Sequence, residues 1–128
     1  MKVFDTCFLI DFLEGIESAA ALAQREPVKF TTQLCMYEVI RGLFIRNISP
    51  TKIKKIIELI GDFRVLPLND EGIIFASDIF SQLFRSGNMI SDNDVLIAGI
   101  AFGHGLNTIV TRNVKHFEQI PGLRVVRY

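Results

Sequence analysis

The sequence predicts an α/β domain with three layers, α/β/α, in which helices cover both faces of a mainly parallel central sheet. Short apolar segments alternate along the chain with longer helical patterns, which is typical of parallel strands joined by helices. One helical pattern, at residues 95–102, is apolar on every side and must therefore be buried all round. A chain of 128 residues is long enough to bury one core, so we expect residues 1–128 to form a single domain.

Local signals divide the chain into elements. The predicted strands are residues 1–4, 28–31, 65–68, 106–110 and 123–127. The predicted helices are residues 7–13, 18–25, 33–46, 50–60, 70–85, 95–102 and 114–119. Thr32, Ser49 and Asp70 are the predicted N-caps of three of these helices. Pro50 is a favourable first helical residue, and Gly61 ends that helix.

Composition limits the classes of function. Lys and Arg number 14, as do Asp and Glu, so any contact with nucleic acid must be local or mediated by a metal ion. Cys7 and Cys35 form no disulfide framework, which predicts a reducing cytoplasm. Asp5 and Asp11 interrupt the first apolar run, so we expect no signal peptide. No apolar run approaches the roughly 20 residues that span a bilayer, so we expect no membrane contact.

Four polar side chains are predicted to meet at one edge of the sheet. Asp5 ends the first strand, Asn113 follows the fourth strand, and Asp94 opens the buried helix. Helix N-termini lie at the carboxyl edge of parallel strands, where ligands bind in such folds. Glu38 lies about 9 Å along its helix, at roughly 1.5 Å per residue, within side-chain reach of that edge. Its alternative interpretation is a surface ion pair with Arg41, worth about 0.3–0.5 kcal/mol.

The other members of this set also have interpretations as caps. Asp5 follows a strand and precedes a helix, the position of a simple N-cap. Asp94 forms a capping-box pattern with Ser91, and Asn113 could cap the turn that follows it. Asp92 is interpreted as a cap or a solvated charge, with a supporting role in the site as the alternative. A chance placement is plausible for one of these residues. It is much less plausible for all four at the same edge of the sheet.

Clustered carboxylates repel each other unless a cation joins them. A ligand set made only of oxygen atoms selects Mg²⁺ or Mn²⁺ over zinc. His104 and His116 are predicted to be surface or capping residues rather than metal ligands. Magnesium held by few protein ligands keeps positions open for phosphate oxygens, so the cluster suits hydrolysis of a phosphodiester.

Several motifs resemble those of a known family. Asp5-Thr6 after the first strand, Glu38 followed by Gly42, and Asp94 within NDVLIAGIA look like the PIN-domain nucleases. The segment TIVTRNVKHFEQIPGLRV is similar to the VapC-type toxins of toxin–antitoxin modules. The resemblance implies a Mg²⁺- or Mn²⁺-dependent endoribonuclease that cleaves RNA in the prokaryotic cytoplasm. It also implies a homodimer that a cognate antitoxin holds inactive.

The resemblance assigns roles to particular residues. It implies that Asp5, Glu38 and Asp94 are the catalytic acids and hold the metal ion. Thr6 and Thr111 are then supporting hydroxyl groups that orient these carboxylates.

Two positions depart from the family pattern. Many relatives have Asn or Ser where Cys7 stands, so strong hydrogen-bond support from this position is not expected. Asn113 stands where many PIN domains carry an acid, and it assists the metal directly or through water. Arg112, Lys115 and Arg41 are candidates for guiding the RNA backbone, with solvated charge as the alternative.

Other assignments remain open from the sequence. A phospho-acceptor receiver domain also has acids at the carboxyl edge, but Asp5 is followed by Thr6 rather than by a second acid. A catalytically inactive module with the same fold, binding RNA or protein, is the second alternative. The Phe-rich pattern of residues 70–85 is interpreted by default as core, with dimer or antitoxin contacts as alternatives.

Overall fold

The computed structural model describes residues 1–128 and contains one five-stranded sheet in which every strand pair is parallel. The strands are β1 (Lys2–Phe4), β2 (Lys29–Thr32), β3 (Arg64–Leu66), β4 (Thr108–Val110) and β5 (Arg124–Val126). Their order is β3-β2-β1-β4-β5, so β1 lies at the centre. Val3 of β1 pairs with Phe30 on one side and Ile109 on the other.

Seven helices connect and cover the strands. They are α1 (Thr6–Leu13), α2 (Glu17–Arg25), α3 (Gln33–Ile45), α4 (Pro50–Ile60), α5 (Asp70–Ser86), α6 (Asp92–Gly103) and α7 (Val114–Phe117). The predicted fold class, a three-layer α/β/α arrangement around a parallel sheet, is confirmed. No helix combines the length and the apolar character that crossing a membrane requires.

Some local predictions were wrong in detail. Asn69, not Asp70, caps α5, since its side chain accepts a hydrogen bond from the Gly72 amide at 2.8 Å. β4 begins at Thr108 because the Leu106 amide donates to Ala101 as α6 ends. The side chains of Phe75, Phe80 and Phe84 on α5 are exposed, so the default interpretation of this pattern as core was also wrong.

The predicted buried helix is α6, and it fixes where Asp94 lies. Its residues from Ile97 to Ala101 are almost fully buried. Close packing against α5 depends on glycine, because a Cβ at Gly99 would lie 2.6 Å from the Gly72 carbonyl oxygen. The N-terminus of α6 lies beside the segment that follows β4, where Asp94 contacts His116.

Candidate active site

Asp5 connects the central strand to the first helix. β1 ends at Phe4, and the Asp5 side chain caps α1 by accepting a hydrogen bond from the Phe8 amide at 3.1 Å. The same carboxylate accepts from Cys7 Sγ at 2.9 Å and from Thr111 Oγ1 at 2.5 Å. Asp5 is therefore both the N-cap of α1 and a member of the candidate site.

The environment of Asp5 makes its charge costly. The residue is only 4% exposed, and none of the ion pairs of the chain includes it. Burial raises the pKa of Asp5 above its ordinary value, and the charge of Asp94 adds to this effect, while the hydrogen bonds oppose it. Such a group is stabilised by a cation beside it.

Cys7 and Thr111 hold the Asp5 carboxylate from two sides. Burial, with the charge of Asp5, raises the pKa of the Cys7 thiol, so the thiol stays protonated and can donate. Thr111 is fully buried, and its hydroxyl oxygen also accepts from the Asn113 amide at 2.8 Å. Hydrogen-bond support at position 7 is therefore present, but it comes from a thiol, which is a weak donor, as the sequence led us to expect.

Glu38 reaches the site from α3, which begins after its confirmed N-cap Thr32. Thr6 Oγ1 donates to Glu38 Oε1 at 2.7 Å, so the residue after Asp5 links the two acids. Arg41 Nη2 lies 3.9 Å from Glu38 Oε2, which gives the expected pair, although half-exposed Arg41 adds little stability.

Asp94 lies in the first turn of α6, where Ser91 caps the helix by accepting from the Asp94 amide at 3.2 Å. The Asp94 carboxylate contacts His116 instead of returning to the cap, with Oδ2 lying 3.2 Å from His116 Nδ1. Asn113 Nδ2 lies 2.8 Å from the same ring nitrogen. His116 Nδ1 therefore lies between Asp94 and Asn113, and it donates to the carboxylate in one tautomer or accepts from the amide in the other.

The prediction that His116 is a surface residue is confirmed, since its side chain is 48% exposed, but the contacts of its ring with Asp94 and Asn113 were not predicted. The available signal was its spacing from Asn113, since residues three apart on a helical turn face each other. The prediction for His104 is confirmed, as it lies beyond the end of α6 with Nε2 2.9 Å from the Pro67 carbonyl oxygen.

The carboxylates of the candidate site offer the oxygen ligands that hard cations prefer. In this structure, however, their oxygens do not converge on one point. No group of three or more His, Cys, Asp and Glu side chains is close enough to hold a metal ion. Each acid is instead held by its own neighbours, Asp5 by Thr111 and Cys7, Glu38 by Thr6, and Asp94 by His116. The oxygen donors and the buried, unpaired charge of Asp5 nevertheless fit a divalent cation.

Arg112 was predicted to guide RNA, and it has a protein partner. Its Nε lies 2.9 Å from Asp11 Oδ2, and the Tyr128 hydroxyl donates to the same oxygen at 2.6 Å. No local pattern indicates this contact, because the three residues are far apart along the chain.

The remaining predicted side chains lie around the site or outside it. Lys115 is exposed on α7, and Arg41 lies 5.0 Å from the Tyr37 ring centre. Asp92 is exposed and lines a shallow cavity against Ala76 and Phe80 of α5, away from the contacts of Asp5.

A cavity of about 530 Å³ lies beside Glu38, between α1, α3 and α4. Its walls combine apolar side chains with charged groups of both signs. They are formed by Ile10, Leu13, Glu14, Glu38, Val39, Gly42, Leu43, Arg46, Ile48, Lys52 and Ile56. A partner that enters it therefore contacts Glu38 directly.

The parallel sheet with acids from β1, α3 and α6 at its carboxyl edge defines a class of nuclease domains. The chain matches the family described as PIN domain over residues 2–123 and belongs to it. Nucleases of this family generally depend on a divalent metal ion. The predicted resemblance to VapC-type toxins is also confirmed.

Individual relatives agree with this assignment. The chain is 31% identical over 101 residues to the tRNA(fMet)-specific endonuclease VapC of Salmonella typhimurium, covering 74% of this chain and 75% of that protein. It is 32% identical over 116 residues to a VapC ribonuclease of Pyrococcus furiosus, covering 90% and 76% respectively. The crystal structure of VapBC2 from Rickettsia felis, bound to a DNA fragment from the promoter, has a TM-score of 0.85. It shares the fold at 17% identity over 99% of this chain and 98% of its own.

Proposed function

We propose that this protein, as one nuclease domain over residues 1–128, hydrolyses RNA phosphodiester bonds and acts as the toxin of a toxin–antitoxin pair. The observation that carries the proposal is the Asp5 carboxylate, which is buried, influenced by the charge of Asp94 and free of any ion pair. An acid in this state needs a cation to be stable in its charged form.

Asp5, Glu38 and Asp94 would hold Mg²⁺, with Mn²⁺ as the alternative, and Asn113 would assist. When bound, the ion supplies Lewis-acid activation of water and offsets the negative charge that develops on the phosphate. The oxygen-only donor set favours these hard cations over zinc.

The chain itself keeps the carboxylates in place. Thr111 and Cys7 fix the Asp5 oxygens, Thr6 fixes Glu38, and His116 fixes Asp94. Such neighbours orient ligands before substrate arrives, and their loss commonly costs about 10–100-fold in metal affinity or activity.

RNA binding must be local because the net charge of the chain is zero. Arg112, Lys115 and Arg41 are exposed around the acids and would contact the RNA backbone. Phosphate contacts of this kind position a nucleic acid without reading its sequence.

The antitoxin would act at the cavity beside Glu38, whose apolar walls suit side chains of a protein segment. A homodimer would bury the exposed face of α5 that carries Phe75, Phe80 and Phe84. We also propose a prokaryotic cytoplasmic location, which suits the two free cysteines.

The test compares Asp94→Asn with the wild-type protein in an RNA cleavage assay with Mg²⁺ or with EDTA. We expect Asp94→Asn to lose activity by about a thousandfold or more, since charge stabilisation by a metal ion is worth several kcal/mol. EDTA should abolish wild-type cleavage.

Asp78→Asn is the matched control, because it removes an exposed acid on α5 and should leave cleavage unchanged. The proposal would be refuted by equal rates of RNA cleavage for Asp94→Asn and the wild-type protein, or by cleavage that EDTA does not reduce.

A further inference from the structure

Asp11 is a buried acid that the proposed chemistry does not use. It lies on α1, is 6% exposed, and places Oδ2 between two donors. The Tyr128 hydroxyl donates to this oxygen at 2.6 Å, and Arg112 Nε lies 2.9 Å from it. The Tyr128 ring packs edge-on against Phe8, with ring centres 4.9 Å apart. The acceptor is therefore held in a fixed position.

The backbone of Arg112 adjoins the acidic site. Its amide donates to Cys7 Sγ at 3.3 Å, and the Cys7 thiol donates to Asp5 at 2.9 Å. Arg112 also directly follows Thr111, whose hydroxyl group binds Asp5. The Arg112 side chain leads from this point to Asp11, which lies six residues after Asp5, or about 9 Å along α1 at roughly 1.5 Å per residue. A phosphate bound by this side chain would therefore lie on the α1 side of the acidic site.

The contact with Asp11 leaves much of the guanidinium accessible. Asp11 engages Nε, yet the Arg112 side chain is 56% exposed. A guanidinium group carries five N–H donors in a rigid plane, so fixing Nε also fixes the direction of the others. Such a plane matches two oxygens of a phosphate, whereas a mobile Arg side chain must first be ordered.

We propose that Asp11 is a positioning residue, which holds Arg112 so that its remaining N–H groups bind an RNA phosphate on the α1 side of the acidic site. This inference rests on the proposed function. The alternative is a purely structural ion pair that joins α1 to the loop after β4.

The two interpretations predict opposite signs for Asp11→Asn. The variant removes a negative charge beside the RNA path, so simple electrostatics predicts tighter RNA binding. Positioning predicts weaker binding, because Arg112 loses its fixed orientation. We expect a loss of about tenfold, the lower end of the scale for one charge-assisted hydrogen bond.

The experiment measures binding of a mixed-sequence single-stranded RNA oligonucleotide in EDTA, which prevents cleavage, at several salt concentrations. Asp11→Asn and Arg112→Gln should weaken binding equally, and the double variant should be no weaker than either. In each, the slope of log affinity against log salt should fall by about one, as for the loss of one phosphate contact. With Mg²⁺, KM for cleavage should rise while kcat changes little.

Arg112→Lys keeps the charge but cannot reproduce the planar fork, so it should bind RNA as weakly as Arg112→Gln. This variant decides the question on its own should Asp11→Asn fail to fold. Glu26→Gln is the control, since it breaks the Lys2–Glu26 ion pair beside the start of β1 and should leave RNA binding unchanged.

Wild-type-like or tighter RNA binding by Asp11→Asn would overturn the inference, as would wild-type affinity in Arg112→Lys. Additive losses in the double variant would also overturn it. A wild-type protein that binds RNA without cleaving it would instead refute the proposed function, and the binding measurements would still decide the role of Asp11.

Discussion

Asp5 serves both the local fold and the site because a carboxylate has two oxygens with several acceptor positions. Oδ1 accepts from the Phe8 amide and from Cys7, and Oδ2 accepts from Thr111. A helix cap and a buried site acid are therefore compatible in one residue. Asp94 combines two roles in a different way, because its backbone amide is part of the cap while its carboxylate faces His116.

His116 allows a test at the level of single atoms. Its Nδ1 contacts both Asp94 and Asn113, whereas Nε2 contacts neither. The amide of an Asn side chain reaches the position of Nδ1 and offers N–H donors together with a carbonyl acceptor. We expect His116→Asn to keep RNA cleavage within about threefold, and His116→Gln to lose about 10–100-fold, the usual cost of losing a group that orients a metal ligand.

The control for this pair is His104→Gln, which changes a ring beyond the far end of α6 and should cleave RNA at the wild-type rate. Activity that falls equally in His116→Asn and His116→Gln would contradict the role of Nδ1. Full activity in both would remove His116 from the site.

At the scale of elements, the crossing of α5 and α6 depends on the absence of a side chain. A Cβ at Gly99 would lie 2.6 Å from the Gly72 carbonyl oxygen and 2.7 Å from the Ala76 Cβ. Gly99→Ala must therefore separate the two helices, and we expect it to destabilise the protein by about 1–3 kcal/mol. Thermal or urea unfolding measures this change.

The matched control is Gly42→Ala on α3, where an added Cβ meets nothing within 4 Å. There the same substitution should stabilise the protein by about 0.5–1 kcal/mol, since Ala is the better helix former. A Gly99→Ala variant as stable as Gly42→Ala would show that the crossing is not tightly packed.

Elements were predictable from the sequence where their signals are local. Thr32, Ser49 and Ser91 each cap a helix as their spacing indicates, because the bonded amide lies only three residues away. The choice between Asn69 and Asp70 failed because both are good cap residues in adjacent positions. Local pattern alone does not decide such a case.

At the scale of the whole molecule, topology explains which part of the site could be predicted. The carboxyl-edge rule identifies the acids after β1 and at the start of α6 without any knowledge of side-chain contacts. It gives no information on contacts between distant segments, such as Tyr128 with Asp11 or Cys7 with Thr111. Those contacts depend on packing that forms only in the complete fold.

Because Asp5 is buried, its protonation makes the stability of the whole domain depend on pH. Burial holds the pKa of Asp5 above its ordinary value, with the charge of Asp94 adding to the effect. The folded protein therefore binds this proton more tightly than the unfolded chain. The resulting stability is present below the ordinary Asp pKa of about 3.9 and is lost as pH rises through the raised folded-state pKa.

Asp5→Asn removes this titration, so thermal unfolding in EDTA should show how much Asp5 contributes to the pH dependence of stability. The variant and the wild-type protein should melt alike at low pH, where Asp5 is neutral. Above the raised pKa the variant should melt at the higher temperature, because the wild-type protein then carries a buried charge without a cation.

Magnesium should reverse this order at neutral pH. An ion that binds the folded wild-type protein stabilises it by about 2.7 kcal/mol at a concentration 100 times its Kd, whereas Asp5→Asn lacks the charge that attracts the ion. The Tm of the wild-type protein should therefore rise with Mg²⁺ while that of Asp5→Asn stays constant. An equal rise in both proteins would mean that the ion binds elsewhere, and no rise in either would mean that Asp5 holds no metal ion.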